Sequence, residues 1–269
     1  MPSQRSSTLK RAIQSVTRFV APSGPAIAMA RNTHKLPAEI SVQPTGLRPL
    51  DKALDIGGLP CGALTELIGP GVTPISGGTT SISAKIAAKV QRQQEMVSII
   101  DLTHSFDTWQ AERSGLVAPQ LLLSQPRTLY EAITAIEQAA RQAQLVIVVL
   151  GVVASLFDNV APNHLQTLLR RLNRIIRASE PAFLCVPAPP QNTPSPPDTY
   201  PPPFPMVELA DIRLWVQAES WTHKGNLATA YKANLTVIHN RLGLAGKGAD
   251  IRIKFEFGDL GDPWLEVED

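Results

Sequence analysis

Residues 45–80, TGLRPLDKALDIGGLPCGALTELIGPGVTPISGGTT, constrain the fold more than any other stretch. They read in order as a turn, a short helix, a Gly-Gly turn, a buried strand over Ala63 to Ile68, and a glycine-rich loop that opens a helix near Thr79. A strand that leads through glycines into a helix N-terminus gathers backbone N–H groups at one point, which is how a phosphate-binding loop is built. The residues placed for that purpose are Gly69, Gly77, Gly78, Thr79 and Thr80. The loop departs from G-x-x-x-x-G-K-[ST] in two respects: Gly78 stands where the lysine belongs, and Gly71 lies one residue too far from Gly77. The sequence therefore describes either a working nucleotide site or the shell of one.

At 269 residues and 43% hydrophobic content, the chain is long enough for one large α/β domain with appendages. No run approaches the length of a membrane span, and the longest apolar run, Leu145 to Val153, suits a buried parallel strand. Charge is uneven along the chain. Residues 1–35 carry six Lys/Arg and no acid, whereas residues 256–269 carry six acids and no base. Three readings of the basic arm stand side by side: an organelle transit peptide, a contact with nucleic acid or an acidic partner, and a solvated amphipathic helix. The two cysteines, Cys61 and Cys185, lack CxxC spacing, and the five histidines are scattered. That pattern predicts neither a disulfide framework nor a metal site, and it suits a reducing compartment.

Along the chain, Leu9, Ile13, Val16 and Val20 recur at helical spacing, which predicts an amphipathic helix over Thr8 to Val20 and a brief strand over Ala26 to Ala30. A lone helix of that size must dock on the body of this chain or on a neighbour. Helices are expected over Thr80 to Gln93, Leu129 to Gln142 and His164 to Ser179, alternating with strands over Met96 to Ile100, Leu121 to Leu123, Leu145 to Val149 and Ala182 to Val186. Such alternation predicts a mostly parallel sheet covered by helices on both faces. Ile212 to Ala218, Ala233 to Asn240 and Ile251 to Phe257 read as antiparallel edge strands. Pro187 to Pro205 holds ten prolines and no glycine, so it favours extended polyproline II and reads as a spacer or a docking strip. The expected organisation is a basic arm over 1–40, a core over 41–258 with 187–205 inserted, and an acidic tail over 259–269.

The segment TG…LD…GGLP-G leading into a strand that ends in Gly-Pro resembles the start of the RecA recombinase core. The likeness continues through IIDLTHSFD (Ile99 to Asp107), LLSQP (Leu122 to Pro126), VIVV (Val146 to Val149), LLRRL (Leu168 to Leu172), ADIRL (Ala210 to Leu214) and VIHNRLGLAGKGAD (Val237 to Asp250). The resemblance implies the RecA-like P-loop NTPase fold, in which the N-terminal helix docks on the next protomer. It also implies roles that this chain has lost. Gly78 replaces the phosphate-gripping lysine, Leu150 replaces the Walker B aspartate, and Thr103 replaces the catalytic glutamate, while Thr79 keeps the magnesium-binding hydroxyl. Asp107 matches an adenine-contacting aspartate, and Gln110 replaces the stacking tyrosine beside it. A threonine is no useful base near neutral pH, and magnesium without a carboxylate is poorly held.

These losses predict no catalytic residue, no metal site and at most weak ATP and magnesium binding. His239 and Arg241 match the pair of lysines with which a RecA protomer reaches the neighbour's ATP, so they are candidates for completing a partner's site. Single-stranded DNA contact is assigned to Arg170, Arg171, Arg174 and Arg177 on one helix, and to Gln191 and Asn192 in the proline-rich loop, which contains no Lys or Arg. The GALTEL run (Gly62 to Leu67) also resembles the ImuA group of RecA-like accessory proteins of translesion synthesis. The reading that follows is a degraded, cytoplasmic, nucleoid-associated RecA-like protein of DNA repair and the SOS response. Its expected partners are a RecA-type recombinase, a polymerase accessory factor or another copy joined through the N-terminal helix. The alternatives are an active ATP-dependent recombinase with a shifted loop, Lys85 or Lys89 replacing the lost lysine, and a filament cap that blocks RecA growth.

Overall fold

A computed structural model of the chain describes residues 40–69, 78–104, 106, 112, 115–151, 160–187, 209–225, 227–257 and 263–268. The predicted N-terminal helix and strand, most of the glycine-rich loop, Asp107, Gln110 and residues 188–205 of the proline-rich segment lie outside them. The turn at Thr45 is built as its sequence suggests. Thr45 donates both its N–H and its hydroxyl to Asp51 Oδ1, at 2.9 and 2.7 Å, and accepts the Leu47 N–H at 3.1 Å. That turn leads into α1 (Arg48–Ala53), and β1 (Val42–Gln43) pairs with β2 (Leu59–Pro60) in a small antiparallel ladder.

The strands β3 (Leu64–Ile68), β4 (Val97–Asp101), β5 (Leu121–Ser124), β6 (Leu145–Gly151) and β7 (Ala182–Pro187) run parallel. β8 (Ile212–Lys224) joins parallel to β3, and then β9 (Leu227–Asn240), β10 (Gly248–Phe257) and β11 (Pro263–Glu268) continue antiparallel. The result is a nine-stranded mixed sheet in the order β11-β10-β9-β8-β3-β7-β6-β4-β5. Helix α2 (Thr79–Gln91), with α1, covers one face through a core that includes Leu67, Ile82, Ile86, Ile99, Ile147 and Leu214. Helices α3 (Leu129–Ala139) and α4 (Pro162–Arg177) cover the other over Leu64, Ile68, Val146, Val148, Phe183 and Trp215. Burial on both faces is why the central strands read as unbroken apolar runs.

Two expectations need correction. The hairpin of β8 and β9 is longer than its predicted strands, and the segment read as an acidic tail contributes an edge strand at Pro263–Glu268. In that segment Leu265 and Val267 alternate with Glu266 and Glu268, so the period-two signal was present beneath the acidic composition. Among the described residues, no helix is long and apolar enough to cross a membrane.

One ion pair sits inside the sheet. Glu66 on β3 lies directly opposite Arg213 on β8, and Arg213 Nε donates to Glu66 Oε2 at 2.8 Å, with side-chain exposures of 0% and 8%. Glu66 Oε1 has no hydrogen-bond partner. Burial pushes the Glu66 carboxyl above its usual range, and the Arg213 guanidinium opposes that shift without cancelling it. Removing one partner of such a pair strands a buried charge. Arg213→Met should therefore destabilise the fold by about 3–5 kcal/mol, read as a lower urea midpoint. Adding Glu66→Leu should recover most of that loss, and a double variant no more stable than Arg213→Met alone would contradict the pairing.

Candidate nucleotide edge and its surroundings

The C-terminal edge of the parallel strands gathers most of the predicted nucleotide residues. Strand β3 ends at Ile68 and Gly69, and the chain re-enters the described structure at Gly78, whose φ of 76° places it in the left-handed region as the N-cap of α2. That conformation suits glycine and is strained for any other residue. Thr79 is buried and Thr80 exposed at the first turn of α2, which points its N-terminus at the edge. Gly77 and Asp107 lie outside the described residues.

Thr103, which the RecA resemblance aligns with that family's catalytic glutamate, is tied to a neighbour. Its N–H and its hydroxyl both donate to Asp101 Oδ1, and Asp101 Oδ2 accepts the Phe106 N–H at 2.8 Å and Gln125 Nε2 at 3.1 Å. Asp101 is fully buried. Burial alone would raise its pKa, but the bonds from Thr103, Phe106 and Gln125 outweigh that effect and hold the carboxyl below the usual range. Four donors fill the lone-pair positions of the Asp101 carboxylate, so Asp101 fixes the start of the loop after β4. The sequence reading passed over it, although its place at the end of a strand was visible.

Leu150, which the RecA resemblance aligns with the Walker B aspartate, points into the α3/α4 core and lines an apolar cavity of about 30 Å³ with Leu102, Leu129, Ile133, Leu169 and Leu172. Its side chain is a packing element. A Cβ built at Gly46 would lie 2.7 Å from Lys89 Cγ, so the Lys89 stem rests on the Thr45–Gly46 turn. Lys85 begins about 9 Å up the helix from Thr79, at 1.5 Å per residue.

The other predicted site residues converge in an unexpected way. Asp211, only 3% exposed, accepts the Leu64 N–H at 3.1 Å through Oδ2, and Oδ1 accepts from the Arg177 guanidinium at 2.8 Å. The Arg241 guanidinium stands 3.9 Å from the same Oδ1, and the Arg241 N–H donates to Asp211 O at 2.8 Å. His239 pairs across the ladder with Arg213. Burial, then the charges of Arg241 and Arg213, lower the His239 pKa against an opposing pull from Asp211, which favours a neutral imidazole. Arg177 and Arg241, assigned to DNA and to a partner's nucleotide respectively, thus share one carboxylate. Asp211 was visible only as part of the ADIRL likeness.

Helix α4 buries Leu165, Leu168, Leu169, Leu172 and Ile176 and turns its arginines outward, as its spacing predicts. Arg170 and Arg174 are exposed, whereas Arg171 pairs with Glu137 and lies over the Tyr130 ring at 5.7 Å. Gln191 and Asn192 lie outside the described residues.

Two outcomes follow from this edge. Gly78→Lys should cost about 1 kcal/mol of stability through left-handed strain and should yield no phosphate release from ATP, because neither carboxylate is restored; measurable turnover would contradict that. Asp101, with a depressed folded pKa, contributes stability that is full above the ordinary carboxylate value near 3.8 and is lost as pH falls through its lower folded value. Asp101→Asn should accordingly lower the neutral-pH urea midpoint and flatten its decline in acid. An unchanged acid limb would show that the four bonds do not favour the ionised form.

Comparison with known proteins agrees with this architecture. The model of the RecA N-terminal domain matches residues 8–163. The RecA protein of Thermus thermophilus is 30% identical over 237 residues, covering 82% of this chain and 68% of that protein. The RecA protein of Bacillus subtilis is 28% identical over 240 residues, covering 83% and 68%. That of Syntrophus aciditrophicus is 38% identical over a shorter stretch of 118 residues, or 44% of this chain and 33% of that protein. The order of the sheet, the turn at Thr45 and the strand-to-helix step at Gly78 therefore have a common source: this chain belongs to the RecA family.

Proposed function

We propose that this chain is a RecA-family protein that has given up phosphoryl transfer and acts in DNA repair, recombination or translesion synthesis through protein contacts, in an accessory role like that of the ImuA group. The observation that carries the reading is the state of the sheet edge, where the base position is a threonine bonded to a saturated Asp101 and the Walker B position is a leucine packed in the core. Losing a base or an oriented electrostatic group costs about 10²-fold or more each, so three losses together leave little of the reaction. The first turn of α2 and Thr79 retain a modest attraction for anions, which supports weak ATP and magnesium binding at Gly69, Gly77, Gly78, Thr79, Thr80 and Asp107 at most.

The opposite end of the fold is less altered. Arg241 keeps a permanent charge, its backbone is fixed to Asp211, and its side chain stays 43% exposed. With His239 beside it, Arg241 is the group this chain offers to a partner's nucleotide. The partner is a RecA-type recombinase, a polymerase accessory factor or another copy engaged through residues 8–20, and Arg170 and Arg174 add an affinity for single-stranded DNA.

Phosphate release tests the reading directly. The chain alone should give no ATP turnover above background, with or without single-stranded DNA. Turnover that DNA stimulates and Thr79→Ala abolishes would contradict it. Capture on the immobilised full chain from native extract should enrich a RecA-type or polymerase-accessory protein, and Arg241→Ala should weaken that capture.

A further inference from the structure

Helices α3 and α4 lie side by side on the sheet face opposite α2, and their outer surface carries one aromatic side chain that no core accounts for. Tyr130, in the first turn of α3, is 60% exposed. The Arg171 guanidinium from α4 lies over its ring, 5.7 Å from the centroid, within the range of a cation–π contact. Glu137 holds Arg171 in place and also pairs with Arg141 at 3.0 Å. One side of the ring is thus backed by a planar cation fixed by a carboxylate, and the residue otherwise faces solvent. The surrounding surface is basic: Arg127, Arg141, Arg171 and Arg174 stand against Glu131 and Glu137. From Tyr130 to the end of α3 at Ala139 this strip runs about 14 Å, at 1.5 Å per residue, with Arg141 just beyond.

We propose that Tyr130, backed by Arg171, is a stacking platform for an unpaired base of a single-stranded nucleic acid whose phosphates follow the arginines of the α3/α4 surface. The inference rests on the reading of the chain as a DNA-associated protein and assigns that affinity to a place outside the proline-rich loop. An open aromatic face takes a base of any identity, because every base has a π-face, while the arginines track the backbone. Duplex DNA offers no free base to stack. An acidic peptide would satisfy the arginines and leave the ring unused. Arg177 takes no part, since Asp211 holds it.

The test is anisotropy of the full chain with a labelled oligothymidylate and with an abasic deoxyribose-phosphate oligomer of equal length. Wild type should bind the thymidylate more tightly. Tyr130→Ala should weaken thymidylate binding about five- to 150-fold, down to the abasic level, with its thermal midpoint little changed because the side chain is mostly exposed. Tyr130→Phe should bind like wild type, and Arg174→Glu should weaken both oligomers. Tyr130→Ala binding thymidylate as wild type does, or wild type failing to distinguish the two oligomers, overturns the platform and leaves the DNA-associated reading standing. Displacement by polyglutamate as effective as by thymidylate, at equal charge, overturns the platform in favour of an acidic protein partner. No binding of either oligomer by wild type overturns both readings.

Discussion

The structure depends on how β3 is held. It is hydrogen-bonded on both sides, buried on both faces, and ends at the loop that leads to Gly78. Its polar anchor is the Glu66–Arg213 pair, supported by the bond from the Leu64 N–H to Asp211. A buried ion pair is poor evidence of net stability, because desolvation costs about as much as attraction returns. Its effect here is on register. A slip of β8 by one residue against β3 would turn Arg213 to the other face and strand Glu66. The same register places Asp211 just before β8, and through Asp211 it positions Arg177 at the end of α4 and Arg241 just after β9.

By the RecA resemblance the sheet edge keeps the scaffold and carries glycine, leucine and threonine where that family has charged groups. A helix N-terminus favours an anion by about 0.3–1 kcal/mol. Each missing group of the phosphoryl-transfer site would supply about 2.7 kcal/mol, taking a hundredfold effect per group. The retained term is therefore too small to replace any one of the lost ones. Asp101, the carboxylate nearest the vacated base position, is committed to Thr103, Phe106 and Gln125. Among the described residues, Thr103 is bonded to Asp101 and Leu150 packs in the α3/α4 core.

Much of the fold was legible because it rests on periodicity. The runs at Leu64, Ile99, Ile147 and Leu184 could only be doubly buried strands, and the leucines of α4 at three- and four-residue spacing fixed which face carried the arginines. The strand at Pro263–Glu268 was obscured because its alternating residues are interleaved with acids that suggested a solvated tail. The candidate site was legible as a set of absences, since a glycine, a leucine and a threonine in three motif positions need no coordinates to be seen. What replaced them was not. Asp211 acts through Arg177, 34 residues away, Asp101 takes its fourth bond from Gln125, 24 residues away, and Tyr130 meets Arg171 only after two helices pack. Contacts of that range leave no local pattern in a single sequence.

The central claim is that the RecA scaffold persists here without its grip on a triphosphate. Calorimetric titration of the full chain with magnesium ATP, beside a RecA protein under the same conditions, tests it most directly. The account predicts heats no larger than those given by inorganic phosphate and unaffected by Thr79→Ala. A magnesium-dependent affinity comparable to that of RecA, lost on Thr79→Ala, would contradict it.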